Sequence, residues 1–362
     1  MECSSYGPGD QLPLVASQDV SRKPDDPVLW HSLLTVACCS PSPHNVQPWR
    51  VRIVSADSAE LFIDGTRTLP GEDHTGSFLL SAMGMFLEAL SLAATEAGFR
   101  MEVELPQSAA WYAERISDRD FKGLTLFANL RLIRDAGAAA PYAPALLLVR
   151  RTSRISLRRD PVPQESVDAL PRLATANGHR YGHITNTNDI EAILSQNIRA
   201  VFHDMNVPAY HDEIAEWFRF TDRSASRHRD GLDWRCMNLS RAEFWLSARM
   251  PGVLLFPPAQ LFFKRRYRKQ LGNVPAIGIL SGDFFLAENA VESGRFLLRF
   301  WLEVTRLGLY LHPYGNMVTN PEACAWLENK TGVRKPWLVF KLGYSDAPPK
   351  SFRRNLEDVL IL

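Results

Sequence analysis

The stretch Ser40-Pro41-Ser42-Pro43-His44-Asn45-Val46-Gln47-Pro48-Trp49 holds the densest set of side chains able to recognise a ligand. Its prolines end a preceding helix, and an extended path beyond them would turn the amides of Asn45 and Gln47 to one side. Carboxamides donate and accept together, which suits a planar heterocycle whose edge alternates N–H, C=O and bare nitrogen. Read alone, the same residues describe a turn with Asn and Gln capping backbone groups and Trp49 in the core. A second stretch, Arg150-Arg151-Thr152-Ser153-Arg154, follows the apolar run 143–149, which reads as a buried strand. Continued extension puts Arg150, Thr152 and Arg154 on one face, two guanidinium forks around a hydroxyl, suited to a phosphate and an electron-rich ring edge. A third basic element, Phe352-Arg353-Arg354-Asn355-Leu356, lies near the C-terminus after DAPPKS. Any one basic pair is ordinary solvated surface.

These segments need elements to hold them. Residues 27–39 read as a helix ending at Ser40 and Pro41, and residues 49–55 and 60–64 as strands around SADSA. A long apolar helix follows at 77–98, a strand at 101–105, and a mixed region at 106–144. Beyond the Arg stretch, 163–176 reads as a helix, 180–185 as a strand, and 189–219 as helices interrupted at Pro208. A looser basic stretch, 221–274, precedes a strand at 276–282, a long helix at 287–308, a short extended segment to Gly315, a helix near 321–329 and a strand at 337–344. Gly84 and Gly98 fall opposite Gly294 and Gly308 at one offset of 210 residues, and Phe86, Leu87, Leu92 and Thr95 meet Phe296, Leu297, Leu302 and Thr305 in that register. With the flanking strands, this pattern points to an internal repeat.

Composition narrows the classes. The chain has 362 residues, 46% hydrophobic, with 41 basic and 40 acidic residues and a net charge of +1; two cores are expected at this length, and nothing global points to nucleic acid. The five cysteines form no CxxC pair, so a reducing cytoplasm is expected and Cys38 and Cys39 read as core thiols. The N-terminal segment 1–25 reads as a leader without a signal peptide. The apolar run 78–98 carries Glu88 and Glu96, which suits a buried helix better than a membrane span. The run Phe262-Phe263-Lys264-Arg265-Arg266-Tyr267-Arg268-Lys269 could meet nucleic acid, but no other basic stripe supports it, and it reads as a solvated loop or lid. His211 and Glu216 stand five apart, off a shared helix face, so no metal site is expected.

Taken together, the motifs resemble those of the nitroreductase superfamily. SPSPHNVQPWRV is similar to its flavin-contacting signature Pro-Ser-x-x-Asn-x-Gln-Pro-Trp, RRTSR with PVPQESVDAL to its Arg-Arg-Ser-x-Arg opening, and FRRNLEDVL to its basic tail. Here the Asn motif precedes the Arg motif by about 105 residues. That order, with LFIDGTRTLPGEDHTGSFLLSAMGMFLEAL and YHDEIAEWFRF, resembles the double-length Acg-like branch. The resemblance implies an α+β, nitroreductase-like fold of two fused halves forming an intramolecular pseudo-dimer: 26–145, then 146–362 with a candidate lid over 221–274. It implies one FMN per chain, with the pseudo-equivalent pocket closed. Arg150 and Thr152 would serve the phosphate with Arg353 and Arg354 as a second clamp. Arg154 would lie near the ring's N1 and C2 carbonyl, Pro41, Ser42, Asn45 and Gln47 along the ring or ribityl, and Pro313 and Gly315 at the N5 edge. Arg219 and Tyr314 would border the substrate. Pro43 stands where many members have Ser, and HPYGN lacks the family's Pro-Glu-Gly form. The implied activity is an FMN-dependent oxidoreductase moving hydride to or from a small organic substrate, with NAD(P)H as a reductant. The alternative is a protein that binds or sequesters FMN without turnover. No nucleic-acid or membrane partner is expected; a monomer would suffice for one site, with a homodimer open.

Overall fold

The computed structural model describes residues 27–362, and the leader expected over 1–25 lies outside the described residues. Ten strands are described: β1 Trp49–Ile53, β2 Ser58–Asp64, β3 Phe99–Glu104, β4 Leu124–Arg134, β5 Arg180–Ile184, β6 Phe218–Arg219, β7 Leu232–Asp233, β8 Ala276–Ser281, β9 Tyr310–Pro313 and β10 Pro336–Gly343. One antiparallel sheet runs β1-β2-β4-β3, a second runs β5-β8-β10-β9, and β6 and β7 form a short parallel pair. Both four-stranded sheets have the same topology. In each, two strands are followed by a 20-residue helix, then an edge strand, then a strand inserted back inside. The helices are Ser77–Glu96 and Ala287–Arg306, and they pack against each other at the centre of the molecule.

Their contact explains the repeated glycines. A Cβ added at Gly84 would lie 2.0 Å from the carbonyl oxygen of Val291, and one at Gly294 would lie 2.0 Å from that of Ser81. Val291 and Ser81 differ by the same 210 residues as the glycines, so the crossing is reciprocal, as a two-fold relation requires. Both helices end on a left-handed glycine, Gly98 at φ 81° and Gly308 at φ 72°, the usual C-terminal stop. Helix Ser77–Glu96 is apolar and long enough to cross a membrane, with a mean hydropathy of 1.6 in its best window, yet that window is 83% buried. A helix apolar on every side is a core helix when another element covers each face.

The ends of the halves cross over. Thr152 bridges Leu311 in β9 in parallel, and Leu360 bridges Val51 in β1 in the same way. The Arg stretch therefore extends the second sheet, whereas the C-terminal tail leaves the second half and joins the first.

Several expectations need correction. Residues 145–149 form a short helix, Ala145–Val149, not a strand. The region 106–144 contains a helix, Ala109–Ser117, and the 11-residue β4. The loose stretch 221–274 is largely helical, with Asp222–His228, Arg241–Arg249, Pro251–Leu255 and Pro257–Leu271. Cys39 is disulfide-bonded, so of the adjacent pair only Cys38 is a thiol.

Candidate functional site

Four segments converge on a cavity of about 290 Å³ between the halves. The two long helices make its floor, with Phe78, Ser81 and Met85 on one and Leu297 and Trp301 on the other; spacings of three and four put each set on one helix face. The Asn-motif loop contributes Pro41, Ser42, His44 and Asn45, the Arg stretch Arg150, Thr152 and Arg154, the end of β9 and the turn beyond it Pro313 and Gly315, and the tail Lys350 and Arg353.

The Asn-motif loop is not extended. Pro43–Asn45 is one turn of 3-10 helix, and His44, Asn45 and Gln47 all have φ between 45° and 57°. A run of non-glycine residues in left-handed conformation stores strain that surrounding contacts must hold. Those contacts come from distant segments. Asn45 Nδ2 donates to the carbonyls of Gly231 (3.2 Å) and Phe352 (3.1 Å), and its Oδ1 accepts from Arg353 Nη1 (2.9 Å). Gln47 donates to Arg229 O (2.9 Å) and accepts from the Arg354 N–H (2.8 Å). Gln47 and Arg354 are thus spent bracing the tail and do not line the cavity. Arg219 does not line it either, contrary to expectation. It is buried in an ion pair with Asp230 at 2.7 Å, which Arg67 shares at 2.9 Å.

The electrostatics of the cavity are lopsided. Arg150 Nε and Nη1, Lys350 Nζ and Arg353 Nε are all buried without a hydrogen-bond partner. Burial, helped by Arg353, pushes Arg150 down to about 9. Burial with Arg151, Arg353 and Arg150 pushes Lys350 down to about 8, and burial pushes Arg353 down to about 10. The Arg150 guanidinium lies 4.5 Å from the Trp301 ring centroid, a contact of about 1–2 kcal/mol when desolvated. That is small against the several kcal/mol lost on burying a cation, so this end of the cavity carries positive charge that the described residues do not offset. Arg154 occupies a separate positive region. It donates to Cys236 O at 3.2 Å; burial, helped by Arg154, depresses both His312 and Lys341, the latter to about 7. Lys341 Nζ donates to Ile155 O at 2.6 Å and fixes the backbone beside Arg154.

A second cavity of about 370 Å³ adjoins the first, and His44, Glu72, Arg154, Pro313 and Gly315 line both. Tyr314, Phe202 and Met205 wall it, and Phe244, Phe263 and Tyr267 of the helical 221–274 segment roof it. At the junction His44 Nε2 pairs with the Glu72 carboxylate; burial alone would lower the imidazole, but Glu72 outweighs it and the pKa rises.

Sequence reasoning missed Lys350, Lys341 and the His44–Glu72 pair. Lys341 could have been found as the lone charge in the apolar strand WLVFKLG, and Lys350 as a third cation three residues before the tail pair.

No protein-family model matches the chain. It is similar to Acg of Mycobacterium tuberculosis H37Rv, provisionally named an NAD(P)H nitroreductase, at 33% identity over 156 residues, 40% of this chain and 46% of that protein. An uncharacterized protein of the same organism is 35% identical over 71 residues, 19% of this chain and 21% of its own length. The match thus spans less than half the length of these relatives. Among solved structures, the FMN-dependent nitroreductase NfnB of Mycobacterium smegmatis in complex with NADPH aligns over 60% of this chain and 96% of its own, at 17% identity and a TM-score of 0.38. A nitroreductase with bound FMN from Bacteroides fragilis aligns over 58% and 91%, at 15% identity and a TM-score of 0.30. Superpositions this loose carry no weight, and the fold stands on the chain's own strands and helices.

Proposed function

We propose that the chain is a nitroreductase-superfamily protein, as its similarity to Acg supports, that its 290 Å³ cavity binds FMN, and that it is an FMN-dependent oxidoreductase acting on a small organic substrate held in the adjoining cavity. The observation that carries this reading is the set of buried cationic nitrogens without a hydrogen-bond partner at one end of the first cavity, Arg150 Nε and Nη1, Lys350 Nζ and Arg353 Nε. A phosphate dianion supplies the charge and the acceptors these donors lack. The apolar floor of Met85, Leu297 and Trp301 suits a planar ring, so the donor set fits the cofactor. Bound FMN would supply hydride chemistry. Thr152 and Ser42 would add hydroxyls along its length, and Arg154 a half-buried positive charge that favours the electron-rich reduced state. Pro313 and Gly315 would present backbone to the ring edge. NAD(P)H is the proposed reductant.

One FMN per chain follows from the 210-residue relation. The residue opposite Met85 is Arg295, and the face opposite the first cavity's floor is filled by ion pairs. Glu88 receives Arg295 at 3.0 Å and Arg299 at 2.9 Å, and Arg299 also donates to Asn177 Oδ1 at 2.8 Å. The cations on that face have partners, and no anion is needed there.

The pH dependence is a direct consequence. Lys350 titrates near 8 in the FMN-free protein, and an anion favours its charged form. FMN affinity is therefore greatest below pH 8 and falls by up to about tenfold per pH unit above it. Riboflavin, which lacks the phosphate, shows no such fall, and a Lys350→Met variant loses the fall that sets in near pH 8, keeping only what Arg150 contributes from about 9 upward. Fluorescence titrations from pH 6.5 to 9.5 measure both; a flat FMN profile would remove Lys350 from the phosphate end.

Turnover is tested by mixing the FMN-loaded protein anaerobically with NADPH or NADH. Loss of the flavin visible band is the expected result. Bands that persist with both reductants would favour the sequestering alternative.

A further inference from the structure

The helices that roof the second cavity carry an unusual outer face. Of the ten exposed large hydrophobic residues among the described ones, six fall between 245 and 262: Trp245, Met250, Val253, Phe256, Leu261 and Phe262. Phe262 is 64% exposed and Phe256 61%. Helical spacing separates the two faces. Phe244 and Ala248 point inward and Trp245 and Arg249 outward on one helix; Phe263, Tyr267 and Leu271 point inward and Leu261, Phe262, Arg265 and Lys269 outward on the other. The helices are packed together through Pro251–Leu255 and tied by Arg266 to Glu243 at 2.9 Å. Residues 241–271 hold seven basic and one acidic residue, in a chain whose 41 basic and 40 acidic residues nearly cancel as a whole. Arg249, Arg265 and Lys269 form no ion pair among the described residues.

We propose that this face docks on an anionic lipid surface, with Phe256, Leu261 and Phe262 entering the interface and Arg249, Arg265 and Lys269 meeting the headgroups. Apolar side chains bordered by cations on the same outer helix face are what an interfacial anchor requires. A second copy fits less well, because a symmetric contact would set these cations against each other. A nucleic acid would use the cations but leave Leu261, Val253 and Met250 without a role. The expectation of no membrane partner came from whole-chain charge and from the absence of a span; the first averages this segment away and the second does not bear on a surface anchor.

The test is co-sedimentation of the full-length protein with phosphatidylcholine vesicles, with and without phosphatidylglycerol. Binding to the anionic vesicles alone is expected, weakening with salt. A Leu261→Ser/Phe262→Ser variant should partition roughly tenfold less well and an Arg265→Glu/Lys269→Glu variant roughly thirtyfold less. Circular dichroism and melting temperatures, unchanged in both, exclude misfolding. Binding to neither vesicle, equal binding to both, a concentration-dependent dimer that the Leu261/Phe262 variant dissolves, or binding to duplex DNA that the variant leaves intact would each overturn the proposal. None of these outcomes depends on FMN.

Discussion

Replacing Arg150 with methionine should weaken FMN binding by about thirtyfold or more, while leaving the FMN-free protein at least as stable as the parent. The two effects have opposite signs because Arg150 is buried without a counter-charge: Nε and Nη1 lack partners and burial has lowered its pKa to about 9. Removing a buried charge from its partner costs about 2 kcal/mol or more, which sets the affinity loss. In the free protein there is no partner to lose. Methionine forfeits the guanidinium's cation–π contact with Trp301 but keeps an apolar side chain of similar reach, and it is relieved of a larger desolvation cost. Melting curves with and without FMN, beside equilibrium titrations, read both quantities. A variant that binds FMN as before, or whose FMN-free form melts well below the parent, would mean that Arg150 has a structural partner after all.

The second large effect concerns the helix crossing. Gly84→Ala or Gly294→Ala should each destabilise the protein by about 3 kcal/mol or more, since the new methyl would meet a backbone carbonyl at 2.0 Å on the facing helix and a backbone cannot rotate away. The helices must separate, and the floor of the cavity moves with them, so FMN affinity should fall as well. Both glycines sit in one reciprocal contact. Once either substitution has spread the helices, the other costs less, and the double variant should lose clearly less than the sum of the singles. Denaturant melts of the three variants supply the cycle. Full additivity would show that the two contacts are independent, against the shared crossing.

Much of this was legible in the chain. The Arg stretch, the Asn motif and the tail are brought to one place, and the repeated glycines mark the central crossing. The failures have local causes. The amides of Asn45 and Gln47 share no extended face because three residues of that loop adopt positive φ, which sequence spacing does not reveal. Residues 145–149 are an apolar run without periodicity, which fits a buried strand and a helical turn equally. β4 escaped notice because a register shift opposite Leu61 and Phe62 buries Phe127 and Ala128 side by side, which breaks the alternation that marks a strand. In 221–274 the breakers Pro251 and Pro257 start helices instead of ending them, and Ser240 with Glu243 forms a capping box whose signature is present in the sequence. Arg219 was drawn to the substrate by its motif. Asp230, eleven residues on, holds it elsewhere.

On this reading the buried cations at one end of the first cavity, and at no other site among the described residues, await the phosphate of FMN. Titrating the purified full-length protein with FMN, and separately with riboflavin, at pH 7 tests it through flavin fluorescence. Saturation at one FMN per chain, with riboflavin bound at least about thirtyfold more weakly, is the predicted result; equal affinity for the two flavins, two FMN per chain, or no binding would contradict it.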